Sequence, residues 1–339
     1  MGDKVHLFHV GNYFHLLISH SIIEDRSLNK DCVFFVTYRG FKLPPVYLDR
    51  LLFDKDSFGI KEVILNIQRF NKLFGGKEVC VYCTFQYTFP LVRYFSEYVF
   101  FEDGASALGI RHKLVINYWD ILREIKLHLR LFGMFYFREH NIKGLCHSTN
   151  FFSPIPRKST LYRLSDKAYR GLNIHSCKIR TISVASLPVI NTSIHDSVII
   201  AMDRIVNRGR PYDIAIYFLV LNKFLYGSDL KSRNVYLKLH PADSNNLDAL
   251  SAINKSLTTF KFEVITSNLE DIAMSDLRNI FVGTNSTILY YAPIFGKTNR
   301  SISFARLLAE RDCTYKSFLD VWGGIEGFRK TFGENVEIS

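Results

Sequence analysis

No apolar run in this 339-residue chain approaches the ~20 residues that a membrane-spanning helix needs; IAIYFLVL is among the longest. The opening stretch, MGDKVHLFHVGNYFHLL, lacks the basic start, long apolar region and small-residue cleavage site of a secretory signal. A cytoplasmic location is therefore expected. Cysteine is sparse: six in the whole chain, which is no disulfide framework. Cys80 and Cys83 form one C-x-x-C inside the strand-like VCVYC. With no second pair to complete four zinc ligands, they are expected to be buried thiols. Helix-turn-helix, zinc-finger and RRM-type signatures are missing too, which argues against nucleic acid as the partner.

What the chain does have is aromatic bulk and positive charge. Only two residues are Trp, but 29 are Phe and 18 are Tyr, enough to fill a large core. Charged residues make up 22% and hydrophobic ones 47%, a globular balance without a disordered signature. The length exceeds what one core usually supports, so two domains of about 150 residues each are expected. The net charge is +11, with 19 basic and 15 acidic residues in 1–150 and 24 and 17 in 151–339. An excess spread through both halves suits an anionic substrate or an anionic membrane surface.

The first half alternates short apolar runs with helical spacing. KVHLFHV (4–10), CVFFVTY (32–38), EVCVYCTF (78–85) and SEYVFFED (96–103) read as strands. NYFHLLISHSII and IKEVILNIQRFNKLF (60–74) read as helices. Residues 146–170, with two prolines and several Ser/Thr, read as the crossing between domains. The alternation then resumes, with strands at 196–203, 234–241, 260–265 and 279–285 and helices at 211–227, 269–275 and from 286. Apolar strands separated by helices predict parallel sheets covered on both faces. Ligands of such sheets sit outside the carboxyl ends of the strands.

Four groups of residues stand at such ends. Glu102 and Asp103 precede Gly104 in FFEDGASALG. Asp-Gly is a common turn pair, so a solvated turn is the ordinary reading; the sharper one makes one carboxylate a base at the mouth of a cleft. His240 and Pro241 end the strand LKLHP, where proline holds the corner rigid. A histidine there could donate a proton to a departing phosphate or serve only the turn. Ser286 and Thr287, in VGTNSTILYYAP, stand where a strand turns into a helix. They could cap that helix, and the same helix start offers amides and a positive dipole to an anion. Glu270, near a helix start in SNLEDIAMSD, could accept hydrogen bonds from both hydroxyls of a ribose. Gly11, Asn12, Lys238 and Thr284 lie at neighbouring strand ends as supporting positions. The basic, apolar stretch 119–140 fits either an amphipathic helix packed on its own domain or one lying on an anionic membrane.

In this order, EDG at 102–104, HP at 240–241 and ST at 286–287 resemble the motifs of the bacterial sialyltransferases that include the polysialyltransferases and the lipooligosaccharide sialyltransferases. The resemblance spans residues 102 to 287. It implies an α/β chain of GT-B architecture, two Rossmann-like domains facing an interdomain cleft. They would comprise 1–150 on the acceptor side and 151–320 binding the CMP-sugar, with a C-terminal helical segment, 321–339, packing back on the first. It further implies inverting transfer from CMP-sialic acid without a required metal or other cofactor. Glu102 would be the general base and His240 the general acid; Pro241, Ser286 and Thr287 would hold the phosphate and Glu270 the ribose. Asp103 and Gly104 would shape the turn. The acceptor would be a surface glycan, O-antigen, capsule or lipooligosaccharide. If it is lipid-linked, peripheral contact with the inner membrane follows. Other donors (CMP-Kdo or a UDP-sugar), a nucleic-acid-binding protein and a catalytically dead glycan-binding relative are the alternatives.

Overall fold

The structure is a computed structural model that describes residues 4–38, 41–55, 77–84, 97–102, 104, 108, 160–168, 178–184, 187, 192–203, 212–240, 243, 246–258, 261–320 and 323–339. The chain divides into two compact units, Met1–Asp103 with Ile110–Pro188, and Gly104–Gly109 with Val189–Ser339.

The first unit holds a seven-stranded, all-parallel sheet. Its strands are β1 (Val5–Val10), β2 (Val33–Tyr38), β3 (Leu51–Lys55), β4 (Val79–Cys83), β5 (Glu97–Phe101), β6 (Thr160–Arg163) and β7 (Lys178–Thr181). Their order is β3-β2-β1-β4-β5-β6-β7. Every residue of β1 and β4 is buried. That is why these strands read as largely apolar runs, broken in β1 only by His6 and His9: a parallel strand covered on both faces has no solvent side on which to alternate. Within this core Phe8 stacks on Tyr82 with ring centres 4.0 Å apart. Cys80 and Cys83 are buried thiols in β4, in no disulfide, and burial pushes Cys80 up to about 12.

The sheet runs on past the expected crossing at 146–170. β6 and β7 add two strands to it, so the first unit extends to Pro188. TLYR and KIRT mix basic and polar residues with apolar ones, so neither reads as an apolar run, and the nearby prolines hid them. The helix expected at 60–74 and the stretch 119–140 lie outside the described residues.

The second unit repeats the plan with six parallel strands: β8 (Val198–Ala201), β9 (Val235–Lys238), β10 (Glu263–Val264), β11 (Ile280–Gly283), β12 (Arg300–Ser303) and β13 (Glu337–Ile338). Their order is β10-β9-β8-β11-β12-β13. β13, at the end of the C-terminal segment, completes the sheet of the second unit by pairing with β12.

The described helices are α1 (Tyr13–Asp25) in the first unit and, in the second, α2 (Ile214–Tyr226), α3 (Leu247–Ser256), α4 (Leu269–Met274), α5 (Thr287–Phe295), α6 (Ala305–Ala309), α7 (Cys313–Leu319) and α8 (Gly324–Phe332). Several start where the sequence supplies a cap. Asn12 accepts from the His15 amide at 2.8 Å, and Asp213 accepts from the amides of Ala215 and Ile216. Both sheets have the Rossmann order, in which the first strand sits centrally and the chain reverses direction across it. The switch points fall between β1 and β4 and between β8 and β11.

Candidate functional site

Each unit carries its candidates at the carboxyl ends of its strands. In the first, β1 ends at Val10, and the Gly11 amide donates to Nδ1 of His15 at 3.1 Å. Asn12 then caps α1. Gly11 and Asn12 thus form the β1–α1 turn beside the switch point. His15 is buried, its ring edge-on to Phe101.

Glu102 follows β5. Its amide continues the ladder to the Tyr162 carbonyl at 3.1 Å, and its side chain turns inward. It is 0% exposed, so the solvated-turn reading and the open-mouth reading both give way to an enclosed carboxyl. Oε2 accepts from the amides of Leu164 at 2.6 Å and Ser165 at 3.1 Å. Oε1 has no partner among the described residues. Burial pushes Glu102 up to about 8, against the pull of those two amides and of the Arg163 charge. Two consequences follow. The carboxyl pins the turn after β6, and its second oxygen has a proton affinity close to that of a base working near neutrality. Asp103 lies outside the described residues.

Gly104 belongs to the second unit and has a left-handed φ of 78°. A Cβ built there would lie 2.7 Å from Cγ2 of Thr287. The glycine of the first motif therefore packs directly on the threonine of the third.

In the second unit β9 ends at Lys238, and His240 comes two residues later. His240 is half-buried, and its carbonyl accepts from the Asp243 amide at 2.8 Å. Pro241 itself lies outside the described residues. Lys238 donates to the Thr266 carbonyl. It also sits in the field of Glu270, a half-buried residue in the first turn of α4. Burial, reinforced by Asp271, pushes Glu270 up to about 7, while Lys238 and its own amide oppose the rise. Burial in turn lowers Lys238, with Glu270 opposing.

The β11–α5 turn carries Thr284, Asn285, Ser286 and Thr287. Ser286 occupies the N-cap of α5 but makes no side-chain cap bond, unlike Asn12 and Asp213. A helix start whose cap hydroxyl makes no cap bond presents the positive end of the helix dipole, which is suited to an anion. Here the capping role proposed for Ser286 is not taken up.

Sequence reasoning missed Asp203, just past β8. Its Oδ2 accepts from the Thr284 hydroxyl, and burial pushes it up to about 6. The only signal was an acid closing the strand-like run DSVIIAMD. Its partner lies 81 residues away, and no local pattern reports such a pairing.

No model of a known protein family matches the chain, and no curated protein matches it in sequence. Solved structures share its fold. The GT-B domain of a Photobacterium damselae sialyltransferase matches with a TM-score of 0.52 and 10% identity, covering 99% of both chains. A 2,6-sialyltransferase of Photobacterium sp. JT-ISH-224, solved with the donor product CMP and the acceptor lactose, matches with a TM-score of 0.53 and 12% identity. That alignment covers 99% of this chain and 78% of the other. A Listeria monocytogenes protein described as a UDP-N-acetylglucosamine 2-epimerase matches with a TM-score of 0.53 and 10% identity, over 98% of this chain and 91% of its own. The chain therefore has the two-domain α/β GT-B fold. Among the described residues no helix is long and apolar enough to cross a membrane.

Proposed function

We propose that the chain is an inverting sialyltransferase, moving sialic acid from CMP-sialic acid to a hydroxyl of a bacterial surface glycan. The observation that carries this reading is positional. Glu102 follows β5, His240 follows β9 and Ser286-Thr287 follow β11, so each sialyltransferase-like motif stands at a strand's carboxyl end in a fold shared with sialyltransferases.

In this mechanism Oε1 of Glu102 takes the proton of the acceptor hydroxyl, and the acceptor oxygen attacks the anomeric carbon of the donor. The bond from that carbon to the phosphate oxygen of CMP breaks, and His240 gives or shares a proton with that oxygen. Ser286, Thr287 and the first amides of α5 hold the phosphate, where negative charge grows in the transition state. Pro241 keeps His240 in place, and Glu270 accepts from the ribose hydroxyls. No metal is required. The net charge of +11 suits an anionic donor and an anionic, lipid-linked acceptor. Work at the cytoplasmic face of the inner membrane would follow.

The test is CMP release from CMP-sialic acid by the full chain, with EDTA and a panel of galactose-terminated and sialylated acceptors. Turnover that collapses in Glu102→Gln and His240→Ala, with CMP binding retained in Glu102→Gln, supports the donor and both roles. Binding of UMP and not CMP would reject the sialyltransferase reading and favour a UDP-sugar donor, the class named for the structurally similar epimerase.

A further inference from the structure

Where the main-chain pairing of β11 stops, side chains from both neighbouring strands take over. The β8–β11 register ends at Val282 opposite Ile200, and the β11–β12 register ends at Gly283 opposite Ser303. The next residue, Thr284, is fully buried and held from two sides. Its hydroxyl donates to Oδ2 of Asp203 beyond β8, and its carbonyl accepts from the hydroxyl of Ser303 on β12.

Asp203 itself has firm walls. Tyr217 of α2 and Tyr315 of α7, both buried, lie close enough to feel its charge. Tyr217 stacks on Tyr212 with centres 4.9 Å apart and meets Phe304 edge-on at 5.4 Å. The starts of α2 and α7 are tied together by Asp312. It caps α7 through the amides of Thr314 and Tyr315 and also accepts from the Asp213 amide.

Three residues after this held point comes Thr287, the first residue of α5, preceded by Ser286, whose side chain makes no cap bond. We propose that Asp203 and Ser303 are positioning residues that clamp Thr284, and so fix the Thr284–Thr287 turn in the shape that receives the donor phosphate. This rests on the nucleotide-sugar reading above. The gain is pre-organisation: donors already aimed at a phosphate need no reordering when it arrives. Asp203 acts here as a hydrogen-bond acceptor, the role its Oδ2 plays toward the Thr284 hydroxyl.

The experiment compares calorimetric binding of CMP and cytidine, and of UMP and uridine, to the full chain as wild type, Asp203→Ala, Asp203→Asn, Thr284→Val and Ser303→Ala. Amide hydrogen exchange of the 284–288 segment and the melting temperature are read on the same proteins. Asp203→Ala and Thr284→Val are each expected to weaken the bound nucleotide about tenfold, the scale of one lost hydrogen bond near a charged ligand. The matching nucleoside should be unchanged, and exchange should quicken at 284–288 alone. Asp203→Asn, which keeps an acceptor oxygen, should stay within about threefold of wild type by the same measure. Unchanged nucleotide affinity in the Ala and Val variants overturns the inference and leaves the transferase reading intact. So does a parallel loss of nucleoside, which marks general collapse. A wild type that binds none of the nucleotides rejects the transferase reading; unchanged exchange at 284–288 in the variants then overturns the clamp separately.

Discussion

The Leu164 amide donates to Oε2 of Glu102 at 2.6 Å across 62 residues of sequence, and the carboxyl it holds is fully buried. The bond fixes one oxygen of the carboxylate and leaves the other, Oε1, without a partner among the described residues. One side chain thereby joins a structural task to a proposed chemical one, and the two can be separated by pH.

Burial raises Glu102 from 4.5 to about 8. Between those values the folded chain keeps a proton that the unfolded chain has released, so this group's contribution to stability falls as pH rises through that window. Glu102→Gln removes the titration. Its melting temperature should be less pH-dependent between pH 5 and 8 than that of wild type, and at about pH 8.5 the variant should be more stable by about 1–3 kcal/mol. Transfer should fall about 10²–10⁴-fold, the usual contribution of a general base. A variant that follows the wild-type stability curve from pH 5 to 9 would show that Glu102 is ionised throughout.

Gly104 leaves room for the Thr287 side chain and adopts a left-handed φ. Gly104→Ala should cost about 1–2 kcal/mol from backbone strain alone, and more because its methyl meets Cγ2 of Thr287. The double variant Gly104→Ala with Thr287→Ser removes that methyl and keeps the hydroxyl, so it should recover part of the lost stability and of any nucleotide affinity. Chemical denaturation of the single and double variants measures the coupling. Strict additivity would show that the two residues do not press on each other.

Glu270, if it accepts from both ribose hydroxyls, must be ionised to do so at full strength. Burial pushes it up to about 7. CMP affinity should therefore strengthen as pH rises through about 7, and this dependence should vanish in Glu270→Gln. The same variant should lose most of the preference for CMP over its 2′-deoxy form, a difference of about tenfold for one hydrogen bond to a charged acceptor. Titrations of both nucleotides at pH 6 and 8 provide the check.

Away from the candidate sites, Glu97 at the start of β5 bonds Lys4 and Arg26, and Arg26 also donates to the Tyr82 hydroxyl at 2.8 Å. Burial would raise Glu97, but the bonds from Lys4 and Arg26 outweigh it and hold the carboxyl below its usual value. Stability from this pair is therefore present above pH 4.5 and lost as pH falls through the depressed folded value. Arg26→Met should cost about 1–2 kcal/mol at pH 7. The gap to wild type should narrow at pH 3. Urea midpoints at the two pH values test both statements.

Local physics made much of the fold legible. VCVYC, VIIA and IFVG announce themselves because a strand buried on both faces is apolar throughout, and VHLFHV does so despite two buried histidines. Asn12 and Asp213 mark helix starts because their short side chains reach the second or third helical amide. The same logic put Glu102, His240 and Ser286-Thr287 at strand ends. It could not find β3, β6, β7, β12 or β13, whose charged and polar residues break any apolar run. They are strands because a neighbouring strand supplies their hydrogen bonds.

Tertiary structure alone decided the rest. Whether Glu102 faced water or was enclosed depended on β6 lying beside β5 and turning its Leu164 and Ser165 amides inward. Asp203 meets Thr284 because β8 and β11 pair across the switch point, and Gly104 meets Thr287 across more than half the chain. The sequence by itself determined which apolar segments must be buried and where those strands stop, since those follow from side-chain hydrophobicity and from helix and turn chemistry over a few residues. Which strand ends become neighbours is set by sheet order, and sheet order is fixed only when all the buried faces are satisfied together.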